Sequence, residues 1–146
     1  MASKARAGLG VKMTFGETPV AELSSVGGIA ITTETIDVSN HDTEGGYREF
    51  ITSLKDGGEF TVEGNFVGDD EGQMAIYNAA QNNTLEDVEI TFPTFGTETT
   101  GAKWQCTCLV TSCTPVGDAT IDSQLTFSAT LKISGKPIFT APVTGA

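Results

Sequence analysis

Basic residues are scarce in this 146-residue chain: 8 Lys and Arg stand against 19 Asp and Glu, a net charge of −11. Such a balance repels nucleic acid and anionic membranes at a distance, so a grip on DNA phosphates is not expected. Basic patches interleaved with aromatics are also missing, which argues against base readout. Histidine is scarcer still. His41 is alone, beside Asp42 in a Gly-rich stretch, and no Ser or Cys occupies a recognisable nucleophile turn. A triad needs that nucleophile and a shaped pocket, so His41 reads as solvated or capping. The three cysteines, Cys106, Cys108 and Cys113, are odd in number and close together. That argues against a disulfide framework and suits a reducing cytosol. Cys106 and Cys108 share a strand face and Cys113 has the opposite parity; a structural zinc site wants four ligands in wider pairs, so buried free thiols are expected. No apolar run approaches the ~20 residues of a membrane span. The start, MASKARAGLGVKM, lacks the apolar core of a secretory signal. Asp69-Asp70-Glu71 lacks the alternating oxygens of a calcium loop, and the Gly pairs at 27–28, 45–46 and 57–58 are turns and not phosphate cradles. No metal, cofactor or enzymatic activity is expected.

What is present is alternation. From Thr120 to Ile133, TIDSQLTFSATLKI, apolar Ile121, Leu125, Phe127, Ala129, Leu131 and Ile133 alternate with polar residues. A period of two over that span predicts one long strand with a polar face. Similar patterns predict strands at Pro19–Ser24, Ile29–Ile31, Glu34–Ser39, Gly58–Val67, Asp87–Phe92 and Lys103–Cys113, with a short terminal strand or arm at Pro137–Phe139. Asp69-Asp70-Glu71 supplies a cap and first-turn acids for one helix, about 70–82, with Met74, Tyr77 and Ala80 as its apolar stripe and Ile76 beside them.

Residues 40–57 break the strand pattern. Asn40, Asp42, Gly45 and Gly46 form turns, while Tyr47, Phe50, Ile51 and Leu54 recur at helix-like spacing. These four side chains fit either a core or an interface with a neighbour. The expected fold is therefore mainly β: an antiparallel sandwich or half-barrel with one helix packed on it, a long loop and terminal arms. The expected organisation is an N-terminal arm over 1–16, a β domain over 17–140 and a C-terminal tail over 141–146. A β domain with acidic strand faces, an apolar loop and two arms has the profile of a self-assembling module, and head-to-tail contacts of that kind give rings and tubes.

The segment Thr130-Leu131-Lys132-Ile133-Ser134-Gly135-Lys136-Pro137, after a long alternating strand, resembles the end of the tube domain in major tail tube proteins of long-tailed, lambda-like bacteriophages. Thr35 to Asp42, Gly46 to Ile51 and Leu54 to Glu59 are similar to that family's strand and long loop. Gln73 to Ala80 resembles its helix, and Ile90-Thr91-Phe92-Pro93 before Trp104 resembles the following strand pair. The resemblance covers about residues 20–140, without the immunoglobulin-like domain some members add. It implies a virion protein, assembled in the host cytoplasm, that stacks as hexameric rings around a lumen for DNA and a tape-measure protein. Tail terminator and tail-tip proteins are the other implied partners. In that setting Tyr47, Arg48, Phe50, Ile51 and Leu54 become the inter-subunit interface. Glu59, Glu63, Glu89 and Asp122 become lumen-facing acids, on a wall that does not hold phosphate. A secretion-system tube protein shares these physical arguments. A monomeric carbohydrate-binding sandwich would need an exposed aromatic platform, and Trp104 and most phenylalanines have inward parity.

Overall fold

Alternating side chains organise seven strands into one antiparallel sheet in the computed structural model, which describes residues 8–144. The elements are β1 (Lys12–Phe15), β2 (Thr18–Pro19), β3 (Leu23–Val26), β4 (Thr32–Asp37), β5 (Phe50–Asp56), β6 (Glu59–Asn65), α1 (Glu71–Asn82), β7 (Leu85–Thr91), β8 (Glu98–Thr100), β9 (Lys103–Thr114), β10 (Thr126–Thr140) and β11 (Val143–Thr144). The main sheet has the order β2-β1-β7-β9-β10-β6-β3, while β4–β5 and β8–β11 form separate two-stranded sheets. Its edge strands, β2 and β3, are joined by residues 20–22 alone. That link spans at most about 14 Å, so the sheet has to curl until its edges nearly meet. The mainly β half-barrel with a single packed helix matches the expected class.

The concave side is the core. Met13, Phe15, Phe60, Val62, Val88, Ile90, Cys108, Phe127 and Leu131 project inward from five strands and are buried. Their polar neighbours form the outer face, as a half-buried antiparallel sheet requires. Helix α1 closes the core with Gly72, Gln73, Ile76 and Ala79. Asp70 caps it as expected, its carboxylate accepting from the Gln73 amide at 3.0 Å and from the Ala21 amide at 3.1 Å. Asn83, in the left-handed region, ends it. Gln73 is fully buried: its Oε1 accepts from the Val67 amide at 3.0 Å, and its Nε2 donates to the Asn65 and Ala21 carbonyls at 2.9 and 3.2 Å. A Cβ at Gly72 would lie 2.3 Å from the Pro19 carbonyl oxygen. Only glycine lets the helix approach the β2–β3 link so closely.

Several expectations are corrected. The long strand begins at Thr126, not Thr120, and runs to Thr140. Thr126 pairs with Asn65, the last residue of β6, so 120–125 have no ladder partner and form an exposed loop despite their alternation. Asp122 lies there and not on a strand face, and Ile121 is 100% exposed. At the other end β10 continues through Gly135 and Pro137, which the sheet tolerates because the register shifts between Ser134 and Ile138. The expected arm over 1–16 is described only from Gly8, and within it Lys12–Phe15 is a strand with Met13 and Phe15 buried. Of the tail over 141–146, Val143–Thr144 pairs with β8, and residues 145–146 lie outside the described residues. Residues 29–31 are not strand, and β3 is Leu23–Val26. The helix is rotated from the expected stripe, leaving Met74, Tyr77 and Ala80 half-buried because Gln73 faces inward. Cys113 regains core parity through a register shift between Thr130 and Leu131, and it pairs with buried Ala129.

Gln73→Leu should leave three backbone groups without their partner. Each stranded group costs about 1–3 kcal/mol, so urea denaturation should report a loss of roughly 3 kcal/mol or more. A loss below roughly 1 kcal/mol would show that the corner does not need this side chain.

Candidate assembly interface

Strands β3 and β6 are antiparallel neighbours in the main sheet, a pair that a turn of about 2–5 residues can join. Instead the chain makes an excursion from Gly27 to Gly58, built around the β4–β5 hairpin. The stretch read as a loop over 40–57 is therefore half strand. Phe50 pairs with Asp37 and Ile51 with Ile36, so the helix-like spacing belongs to a two-faced ribbon. Ile36 and Ile51 share one face and Phe50 lies on the other. Ser53 and Leu54 together oppose Glu34 in a bulge.

Among the described residues this ribbon is left largely uncovered. Tyr47 is 80% exposed, Leu54 82%, Phe50 54% and Ile51 53%. Arg48, near the tip, donates to Asp37 at 3.2 Å. The Ser39 amide and hydroxyl, and then Arg48, hold the Asp37 carboxyl below the usual carboxylate range. The five interface candidates thus lie on one protruding element, divided between its two faces.

The root of the hairpin is bonded to β10. The Ile133 amide donates to the Gly58 carbonyl at 2.9 Å, and the Gly58 amide donates to Asp56 Oδ1 at 2.7 Å. Lys132 Nζ reaches both Asp56 oxygens at 3.1 and 3.2 Å. A Cβ at Gly57 would lie 2.8 Å from Ile133 Cγ2, so glycine is needed for the ribbon to leave the sheet here. Between the root and β10 runs a groove of about 790 Å³, with Ile31, Leu54, Lys55, Ile133, Lys136 and Pro137 among its lining residues.

Glu59, Glu63 and Glu89 do fall on the polar outer face of the main sheet. Glu59 and Glu63 pair across β6–β10 with Lys132 and Ser128, and Glu89 accepts from Gln105 at 3.3 Å. Lys12, Lys103 and Lys132 share that face with them, among a field of Ser and Thr hydroxyls such as Thr14, Thr61 and Thr130. The wall is hydroxyl-rich with interspersed acids, and Asp122 is not part of it.

Among the described residues no group of His, Cys, Asp and Glu could hold a metal ion, and His41 is exposed. Cys106 and Cys108 are buried with sulfurs 3.5 Å apart. That contact, then burial, pushes the Cys108 thiol up; the same contact draws Cys106 down against the effect of burial, and burial pushes Cys113 up. The expectation of thiols acting as small hydrophobes holds for the buried pair. No described helix is long and apolar enough to cross a membrane.

Known structures share this geometry. A chain from the tail of an empty GTA particle, solved with C6 symmetry, superimposes with a TM-score of 0.72 over 94% of this chain and 100% of its own, at 19% identity. The fold is a tail-tube fold. A chain from the sheath/tube terminator of an extracellular contractile injection system, PVC, in its extended state, matches with a TM-score of 0.74, 18% identity, and coverage of 97% and 100%. Hcp1 from Flavobacterium johnsoniae matches with a TM-score of 0.56, 14% identity, and coverage of 89% and 98%. No protein-family model and no curated protein sequence matches the chain. At these identities the likeness speaks to the fold.

The Gly58 amide and then the Lys132 ammonium hold the Asp56 carboxyl below its ordinary value of 3.8. A depressed carboxylate stabilises the fold above its unfolded value, and that contribution is lost as pH falls through the folded value. Amide protection at the hairpin root, corrected for intrinsic exchange, should therefore be level above pH 3.8 and fall below it. Asp56→Asn should give lower protection with no such fall. A wild-type profile without the acid-side fall would remove the latch.

Proposed function

We propose that this protein is the subunit of a tail tube, polymerising as stacked hexameric rings around a lumen through which DNA passes. The observation that carries the reading is the excursion from Gly27 to Gly58. It interrupts two directly paired strands to present exposed apolar side chains on both faces of a ribbon. Ordering such a ribbon costs about 1–2 kcal/mol per residue of backbone entropy. Burial against another copy offsets that cost, whereas the isolated domain gains nothing. The tail-tube fold supports the same reading, and the C6 symmetry of the GTA tail supports six protomers per ring.

In this assembly Tyr47, Arg48, Phe50, Ile51 and Leu54 contact a neighbouring protomer. Glu59, Glu63 and Glu89 line the lumen with the hydroxyls of the outer sheet face. Hydroxyls hydrate the wall and the acids offset Lys12, Lys103 and Lys132 on the same face, so a polyanion meets little of the counterion-release attraction that would hold it. A tape-measure protein occupies the lumen before DNA, and terminator and tip proteins close the two ends. The chain is structural and assembles in the host cytoplasm before joining the virion tail. Placement in the non-contractile, lambda-like branch rests on the sequence resemblance. The likeness to Hcp1 and to contractile injection systems favours a second reading, a secretion-type tube of the same fold.

Negative-stain electron microscopy of the purified protein should show six-fold rings or hollow tubes, and a persistent monomer would overturn both readings. Phe50→Asp should raise the critical concentration for assembly roughly 10- to 100-fold, since a buried Phe contributes about 1.5–3 kcal/mol. Because Phe50 is exposed in the subunit, its melting behaviour should barely change. Glu59→Lys with Glu63→Lys should leave tubes intact but slow DNA transit in a salt-dependent way; unaltered transit would remove these acids from the lumen.

A further inference from the structure

Register places two unused features at opposite ends of one ladder. Strands β6 and β10 pair from Asn65↔Thr126 at one end to Glu59↔Lys132 at the other, a separation of about 20 Å. The loop before Thr126, residues 115–125, stands at the first end. The groove at the hairpin root opens at the second, between Leu54 and the Ile133–Pro137 stretch.

The loop is held only at its base. The Gly117 amide donates to the Thr126 carbonyl at 2.7 Å, and Gln124 donates to Asn65 Oδ1 at 2.8 Å. Its tip carries Ile121, fully exposed, and the acids Asp118 and Asp122, with no basic residue between Pro115 and Leu125. The groove is its counterpart: Ile31 and Leu54 offer exposed apolar surface above the buried Ile133 and Pro137. Its charges are Lys55, Lys132 and Lys136 against Glu34 and Asp56. Lys132 is engaged by Asp56, and among the described residues no carboxylate lies within ion-pair distance of Lys55 or Lys136.

We propose that loop 115–125 of one copy docks in the hairpin-root groove of a second copy, Ile121 against Leu54 and Ile31, and Asp118 and Asp122 against Lys55 and Lys136. This inference rests on the tube reading and names its stacking contact. Plug and socket lie on opposite ends of the subunit, so the contact is heterologous and repeats along an axis without closing on itself. The ionic part steers each addition and sets its polarity, and the apolar part slows its loss.

The test is a charge exchange in the full chain, followed by sedimentation and negative-stain microscopy at low salt. Asp118→Lys with Asp122→Lys, and separately Lys55→Glu with Lys136→Glu, should each raise the critical concentration for tubes about tenfold or more through like-charge repulsion. The four substitutions combined should return it to within about threefold of wild type, because the pairs are restored with reversed sign. All four positions are exposed, so unchanged circular dichroism and melting should accompany every variant. Ile121→Asp should weaken assembly in every background. Tubes from the loop variant at the wild-type concentration, or additive loss without rescue, would give the groove another occupant and overturn the proposal while leaving the tube reading intact. Failure of the wild-type chain to form rings or tubes would overturn both.

Discussion

Gln73 is the tie on which the curl of the sheet depends. Its amide bonds three backbone segments at once: the β2–β3 link at Ala21, the end of β6 at Asn65, and the approach to the helix at Val67. At such a corner the sheet ladder has ended and its half-buried backbone groups lack strand partners, so a side chain satisfies them. Asp70 shares the task by bonding Ala21 while capping the helix. Once that corner is closed, the edge strands are held near each other. The concave face is sealed by α1, and β3 lies beside β6 in the register from which the hairpin departs.

The subunit divides into a part that completes itself and a part that does not. The half-barrel buries the apolar side chains of its concave face and leaves no buried side-chain polar atom without a partner among the described residues. The β4–β5 ribbon and the 115–125 loop bury almost nothing. This contrast is what the proposed assembly rests on, because a contiguous exposed apolar patch on ordered backbone marks a surface suited to a partner. The polar face of the sheet adds the complementary property. Its hydroxyls and nearly balanced charges resemble a hydrated wall more than a binding surface, and much of the acidity sits on the hairpin, where Glu34, Asp37, Asp42, Glu44, Glu49 and Asp56 outnumber Arg48 and Lys55.

Legibility in the sequence followed the presence of a partner. Alternation in Glu59–Asn65, Leu85–Thr91 and Lys103–Thr114 translated directly into burial because each strand has a neighbour on both sides. The same alternation in 120–125 misled, since no strand extends far enough to pair with it. Phe50, Ile51 and Leu54 were conspicuous as apolar residues needing cover, but their spacing suggested a helix where a bulged ribbon stands. Asp70 was readable as a cap from its local signature. Gln73 was not, because nothing local tells a surface glutamine from one turned inward to meet distant carbonyls.

The sequence by itself determined the class: a β domain with one capped helix and a net charge that repels nucleic acid. These properties are local or additive, set by the period of side chains, by capping residues and by counts of charge. Only the tertiary structure decided which alternating run became a strand, which way the helix turned, and where the apolar ribbon and its groove stand. Those outcomes depend on ladder partners and backbone acceptors many residues away, and a chain acquires them only by folding.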